Sequence, residues 1–118
     1  MSTKELGRKS ELVAEKYLIA EGYSILERNY RTRRAEIDLI CRKGRHLLFV
    51  EVKGRTTFNP DEAWLPFWRK KKWKIYAAAR VYLRMHPEIG EESDGFGLEI
   101  LYVTQGRVIE RYDEGGFF

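Results

Sequence analysis

Two short runs of this chain set carboxylates beside a lysine in a pattern that can hold a metal ion. Residues 36–40 read EIDLI and residues 49–53 read FVEVK. Both runs alternate apolar and polar residues, which is typical of a half-buried β-strand. Because side chains two apart on a strand share a face, the two acids of the first run point the same way. Glu51 and Lys53 of the second run share a face for the same reason.

A turn at residues 42–45 would join these runs into an antiparallel hairpin. The register set by that turn places Glu36 opposite Glu51, and it puts Asp38, Glu51 and Lys53 on one face. Charges on a partly buried face cost free energy unless they are paired, hydrated or bound to a cation. A divalent metal ion is therefore the simplest explanation of clustered acids beside a lysine.

Hydrolysis of a phosphodiester bond is the chemistry that suits this cluster. It requires shielding of phosphate charge, an activated water and stabilisation of the leaving oxygen, and Mg²⁺ can serve all three needs. Mg²⁺ prefers carboxylate oxygens and keeps several waters, so two or three acids suffice to hold it. We expect Asp38 and Glu51 to bind Mg²⁺, with Mn²⁺ as a substitute, and Lys53 to orient or deprotonate the attacking water. The alternative is an ordinary exposed Glu-x-Lys pair, with Asp38 as a surface acid.

Periodicity elsewhere in the chain predicts the elements that must position this cluster. The pattern gives the order α-β-β-β-α-β, with a further strand at the end. The predicted bounds are a helix at 4–21 ended by Gly22, a strand at 23–30, the hairpin at 36–53, a helix at 67–85, a loop at 86–96, and strands at 97–104 and 107–112. A helix start is also predicted at residues 59–62.

Two acids of the first helix have different expected surroundings. Glu11 lies seven residues before Leu18, at the margin of the apolar stripe, whereas Glu15 falls on the exposed side. If the helix packs across the sheet, Glu11 reaches the metal through a water molecule. The alternative is that Glu11 is a helix-surface residue.

Basic residues are concentrated in two places that flank the acidic runs. The net charge is +4, yet residues 31–34 hold three arginines and residues 69–74 hold five lysines and arginines. A basic surface beside an acidic pocket indicates a polyanionic partner, with nucleic acid first. The candidate phosphate contacts are Arg31, Arg33, Arg34, Lys70, Lys71 and Lys74, and among the lysines of the run Lys71 aligns toward the site. Trp68 and Trp73, interleaved with the lysines, can stack on unpaired bases. The alternative is that both runs are solvated surfaces.

Composition narrows the class of protein. A length of 118 residues fits one domain, residues 1–118, with a real hydrophobic core. The single cysteine excludes an internal disulfide and a Cys-based zinc site, and a total of two histidines argues against a transition-metal centre. The chain has neither the apolar run of about 18 residues that a membrane span needs nor a signal-peptide core, so we expect a cytoplasmic protein with no membrane partner.

A series of motifs in fixed order resembles the YraN-like family and extends over nearly the whole chain. The motifs are GRKSELVA at 7–14, GY at 22–23, NYR at 29–31, EIDLI at 36–40, FVEVK at 49–53, the lysine at 71 and ARVYL at 79–83. The chain departs from the family pattern at two places. Ala35 stands where the family usually has glycine, and residues 97–99 read GLE in place of Arg-Phe-Asp. If that arginine binds substrate, this protein differs in its choice of substrate.

The resemblance implies an α/β fold with a restriction-endonuclease-like αβββαβ core, in which helices flank a central mixed sheet. This pattern is similar to that of archaeal Holliday-junction resolvases. The resemblance also implies a magnesium-dependent nuclease site with DNA as substrate. By position, Glu11, Asp38, Glu51 and Lys53 match the acidic and lysine positions of the nuclease motif. Glu36 matches a further recurrent acid, and its plainer role is to face an arginine.

Residues and resemblance together predict a cytoplasmic, Mg²⁺-dependent DNA endonuclease that acts on branched or single-stranded intermediates of repair or recombination. A resolvase would need two active sites and hence a homodimer. Two other hypotheses stay open, namely a non-catalytic nucleic-acid-binding module and a structural partner of DNA-processing machinery. The structural partner would bind through exposed aromatics, which are Trp64, Phe67, Trp68 and Trp73.

Overall fold

The computed structural model describes residues 1–61 and 66–113, and within 66–69 it describes the backbone alone. At the predicted helix start the Asp61 N–H donates a hydrogen bond of 3.1 Å to Asn59 Oδ1. The remainder of that predicted start, the whole of Trp64 and the side chains of Phe67 and Trp68 lie outside the described residues.

Helices and strands follow one another in the predicted order. They are α1 (Thr3–Ala20), β1 (Ser24–Arg31), β2 (Glu36–Lys43), β3 (His46–Gly54), α2 (Pro66–Met85), α3 (Pro87–Glu91), β4 (Gly95–Thr104) and β5 (Arg107–Asp113). The predicted order is therefore confirmed, with one correction. The short helix α3 lies within a segment predicted to be a loop, and Pro87 provides its first residue, where proline is compatible with a helix.

The ends of α1 follow from the chemistry of the flanking residues. Ser2 caps the first turn, because its hydroxyl accepts a hydrogen bond of 3.1 Å from the Glu5 N–H. Gly22 follows the helix with a φ of +98°, the left-handed conformation that ends many helices and that glycine adopts without strain. Among the helices of residues 1–61 and 66–113, none combines the length and the apolar character that crossing a bilayer requires.

The five strands form a mixed sheet in the order β1-β2-β3-β4-β5. β3 and β4 are parallel, and the chain crosses between them through α2, whereas the other neighbours are antiparallel. Leu18 of α1 shares a buried cluster with Val50, and Tyr82 of α2 shares another with Phe49. Successive residues of β3 thus face opposite helices, so Glu51, two residues after Phe49, lies on the α2 side. The predicted α/β architecture, compatible with a restriction-endonuclease-like core, is confirmed.

The predicted register of the β2–β3 hairpin is wrong by two residues. Lys43 pairs with His46 and Leu39 with Val50, so the loop contains only two residues, Gly44 and Arg45. Gly44 has a φ of +59°, as the first loop position of a two-residue hairpin turn requires. A shift by two residues leaves every side chain on its predicted face. It does change the neighbours, because Asp38 rather than Glu36 now lies one step beyond the Leu39–Val50 pair, beside Glu51.

Candidate functional site

A cleft of about 500 Å³ lies at the end of the β2–β3 hairpin remote from its turn, against α2. Its acidic lining residues come from the sheet and its basic ones mainly from the helix. The acids are Glu36, Asp38 and Glu51, and the bases are Arg34, Lys70, Lys71 and Lys74. Glu51 is only 4 % exposed, whereas Arg34, Lys70 and Lys74 are exposed. The cleft therefore combines a buried carboxylate with a basic rim.

Asp38 is held where the regular pairing of β2 with β3 ends. Its Oδ2 accepts a hydrogen bond of 2.7 Å from the Val52 N–H, so the carboxylate takes the place of a backbone partner. Burial, and next the negative charge of Glu51, raise the pKa of Asp38 to about 8, although the Val52 hydrogen bond opposes this rise. The acid is thus fixed in position while its charge is only partly compensated.

One oxygen of Glu51 contacts two ammonium groups. The distance from Oε1 to Nζ is 3.2 Å for Lys53 and 2.6 Å for Lys71. Lys53 is 9 % exposed, and burial lowers its pKa despite the neighbouring carboxylate. Burial also tends to lower the pKa of Lys71, but the negative charge of Glu51 and the hydrogen bond to it have the larger effect, so the pKa of Lys71 is raised. The structure thus brings together Asp38, Glu51 and Lys53, which strand alternation placed on one face, and Lys71 of α2, which helical spacing aligned toward the site.

The donor set of this cleft fits a hard cation with few protein ligands. Among the described residues no three Asp, Glu, His or Cys side chains gather into one ligand set. Mg²⁺ is commonly held by one or two carboxylates, with water and substrate phosphates in its other positions. Asp38 and Glu51 supply two carboxylates from adjacent strands. A cation bound to both would also relieve the repulsion that helps to raise the pKa of Asp38.

Glu11 does not line this cleft. It accepts a hydrogen bond of 2.7 Å from Asn29 Nδ2 and faces a separate groove beside α1. Its charge still makes a smaller contribution to the raised pKa of Asp38. Glu36 borders both this groove and the cleft, and it forms an ion pair of 3.2 Å with Arg31. The sequence also predicted that Glu36 simply faces an arginine, and the structure contains this contact, with Arg31.

The arginines before β2 have different positions. Arg34 lines the cleft and Arg31 pairs with Glu36, whereas Arg33 is exposed and does not line the cleft. Thr32 organises this loop, since its hydroxyl accepts hydrogen bonds from the Arg34 and Ala35 N–H groups at 3.2 and 3.3 Å. The loop geometry therefore directs one of the three predicted arginines into the cleft.

Sequence reasoning missed two residues that organise the site. Thr32 shapes the loop that carries Arg34, and Asn29 holds Glu11 while adopting a φ of +52°. The available signals were the residue types, because threonine favours such turns and asparagine tolerates the left-handed conformation better than most residues. Neither signal indicates by itself which carboxylate or loop the side chain will contact.

The two departures from the family pattern leave the charged residues of the cleft in place. Asn29 and Gln105 are the non-glycine residues with positive φ in the described part of the chain, so Ala35 needs no glycine conformation. Glu99 forms a bidentate ion pair with Arg111, with distances of 2.7 and 3.0 Å. Arg111 also contacts Tyr17 of α1. Residues 97 and 99 share a strand face on the α1 side, away from the cleft, whereas Leu98 packs in the buried cluster on the α2 side and Ala35 lines the cleft.

A likeness to a solved structure is weak. The structure described as "Pyrococcus Furiosus SfsA in complex with Ca2+" matches with a TM-score of 0.33 and 16% identity, over 98% of this chain and 64% of that one. A TM-score this low does not establish a shared fold.

Sequence comparison gives a clear result. A sequence model of the uncharacterised protein family UPF0102 matches residues 10–113. A UPF0102 protein of Syntrophomonas wolfei is 44% identical over 107 residues, which are 88% of this chain and 90% of the relative. One of Anaeromyxobacter dehalogenans is 54% identical over 104 residues, 86% of this chain and 73% of the relative. One of Hahella chejuensis is 42% identical over 80 residues, 68% of this chain and 64% of the relative. The chain therefore belongs to the uncharacterised protein family UPF0102, which is the YraN-like family that its motifs resemble.

Proposed function

We propose that this protein is a Mg²⁺-dependent endonuclease that hydrolyses phosphodiester bonds in DNA, including branched or single-stranded intermediates of repair and recombination. The observation that carries the proposal is the meeting of Asp38 and Glu51 in a cleft with a basic rim, with Lys53 Nζ 3.2 Å from Glu51 Oε1. Acids beside a lysine suit metal-assisted hydrolysis, and a rim of lysines and arginine suits a phosphate backbone.

Each residue of the cleft has a proposed role. Asp38 and Glu51 would hold Mg²⁺, which supplies phosphate charge neutralisation and a more acidic water when it is bound. Lys53 orients the attacking water, and its lowered pKa brings it closer to the range in which an amine can exchange a proton near neutral pH. Its burial keeps the amine in place beside Glu51. Arg34 and the exposed lysines of α2 would contact phosphates of the strand.

The acids outside the central cluster have supporting roles in this proposal. Glu11 would act through a water molecule or through its charge, because Asn29 holds it in the neighbouring groove. Glu36, paired with Arg31, would fix that arginine near the entrance of the cleft. Arg33 would contact a phosphate only beyond the cleft itself.

One observation favours a second candidate, a non-catalytic nucleic-acid-binding module. Lys53 and Lys71 both pair with Glu51, so the cluster also fits a basic binding surface. Such a module would bind DNA in a salt-dependent manner whether or not Mg²⁺ is added. The third hypothesis is that a partner protein binds through the exposed aromatic residues. Among those aromatic residues, Trp73 is the one whose side chain the structure describes, and it is 69 % exposed.

Cleavage assays distinguish these candidates. Purified protein is incubated with labelled single-stranded, duplex and four-way DNA in Mg²⁺, Mn²⁺ or EDTA. We expect cleavage with either metal and none in EDTA, with loss of cleavage in Asp38→Asn and Lys53→Ala. The matched control is Asp94→Asn, since Asp94 is an exposed acid paired with Arg45 at the opposite end of the hairpin. Cutting by Asp38→Asn or Lys53→Ala at the parental rate would show that the assigned site is wrong.

The same protein samples test the alternatives and the assembly. DNA binding without cleavage under any metal condition would favour the binding module. Binding of neither DNA nor metal would leave the protein-docking hypothesis. Cutting of opposed strands in a four-way junction requires two active sites, so a homodimer measured by sedimentation is expected if such junctions are the substrate.

A further inference from the structure

Trp73 is a large aromatic side chain that α2 leaves in solvent. It is 69 % exposed, whereas its neighbour Tyr76 is only 9 % exposed. The two rings meet edge to face, with centroids 5.3 Å apart and planes at 79°. In either orientation of such a pair at least one face of the indole stays open. Tyr76 thus anchors the indole at its side while a flat apolar surface remains available.

Helical spacing places this indole beside the basic rim of the cleft. Lys70, Trp73 and Lys74 are related by three and four residues, so their side chains are neighbours on one side of α2. Lys70 and Lys74 both line the cleft that contains Asp38 and Glu51. Lysines interleaved with an open aromatic ring form the combination by which proteins bind single strands, with phosphates on the cations and bases on the rings.

We propose that Trp73 stacks on an unpaired base while Lys70 and Lys74 contact the adjoining phosphates, which makes single-stranded or locally opened DNA the ligand of this surface. The proposal rests on the proposed function, since a DNA strand must enter the cleft. Bases within a duplex are stacked on both faces by their neighbours, so the indole has access only to a base that has left the stack. Trp73 therefore selects for unpaired DNA, and the lysines bind either form.

Binding of one labelled oligonucleotide, as a single strand and within a blunt-ended duplex, tests this selectivity. Fluorescence anisotropy is measured in EDTA, so that the DNA stays intact, and at one fixed salt concentration. We expect Trp73→Ala to weaken single-strand binding about 5- to 150-fold, the range for one base–aromatic stack, and to leave duplex binding nearly unchanged. Trp73→Phe should retain most of the affinity. Met85→Ala is the matched control, because Met85 is 68 % exposed at the far end of the same helix.

A second perturbation identifies the stacked base. An abasic residue is moved along the single strand and combined with Trp73→Ala. We expect one position at which the two losses are not additive, because both remove the same stack. Equal weakening of single-strand and duplex binding, no weakening, or additivity at every position would overturn the inference while leaving the proposed function in place. Failure of the parental protein to bind either DNA would overturn both.

Discussion

Lys71 pairs with the Glu51 carboxylate that we propose as a Mg²⁺ ligand, so removal of its charge is expected to tighten Mg²⁺ binding. Its Nζ lies 2.6 Å from Glu51 Oε1. A hydrogen bond to a charged group contributes about 1.5–3 kcal/mol. Because the Lys71 side chain is 40% exposed, solvent screening places the value near the lower limit, at about 1.5 kcal/mol. Release of this competition corresponds to about tenfold tighter binding of Mg²⁺.

Isothermal titration calorimetry of the metal-free protein measures this effect. Lys71→Met keeps the apolar length of the side chain and removes the charge, whereas Lys71→Arg keeps the charge. Lys74→Met is the matched control, since it removes an equal charge from the exposed rim of the same cleft. We expect Lys71→Met to bind Mg²⁺ more tightly than the parental protein, Lys71→Arg and Lys74→Met do. We also expect weaker DNA binding by Lys71→Met, because Lys71 lines the surface that would contact phosphate.

The two opposite effects make this prediction stringent. If Lys71→Met binds Mg²⁺ no more tightly than Lys74→Met, Lys71 does not compete for Glu51, and the reasoning is refuted. If none of the four proteins takes up Mg²⁺, with or without DNA, the metal site itself is refuted.

Three further predictions concern the stability of the fold. Burial and Glu51 raise the pKa of Asp38 from 3.8 to about 8 in the folded protein, so the folded state binds more protons than the unfolded state between these values. The metal-free protein should therefore lose stability to urea as pH rises from 4 to 8, and Asp38→Asn should abolish this loss. Gly54→Ala should lower the free energy of unfolding by about 1–3 kcal/mol, a typical cost of overpacking. The new Cβ would lie 2.1 Å from Ser10 Oγ, and Ser10→Gly should restore part of the loss in thermal unfolding. Glu99→Ala should cost about 2 kcal/mol in the same assay, because it removes the two hydrogen bonds that Glu99 accepts from Arg111. A cost near zero would show that solvent and Glu21, 3.5 Å from Arg111, compensate that arginine.

Strand alternation predicted which side chains share a face of the hairpin, but it did not predict the register of the hairpin. Within one strand, residues two apart share a face, so a register shift by an even number of residues leaves each side chain on the same face. Asp38 of β2 therefore stays on the face of Glu51 and Lys53 of β3 under any such shift. The register depends on the length of the turn, and a loop of two residues with Gly44 first differs from the predicted turn. The neighbour of Glu51 was therefore misassigned although the composition of its face was right.

Helical periodicity could not predict how α1 docks on the sheet. It places Glu15 on the exposed side, yet Glu15 forms an ion pair with Arg28 and its side chain is 15% exposed. It places Glu11 at the margin of the apolar stripe, but the partner of Glu11 is Asn29 rather than the cleft. An edge strand supplies both partners. Contacts between a helix and an edge strand depend on the docking angle, which a pattern within the helix does not contain.

The two faces of the sheet allow a comparison between a structural use of buried charge and the functional use that we propose. On the α1 face Glu99 and Arg111 satisfy each other through two hydrogen bonds. On the α2 face Asp38 accepts one backbone hydrogen bond, and its burial and the charge of Glu51 raise its pKa. An asparagine could accept the Val52 hydrogen bond without the electrostatic cost. A fold that needed only to close β2 onto β3 gains nothing from the acid, whereas a cleft that receives a cation and a phosphate, as we propose, does.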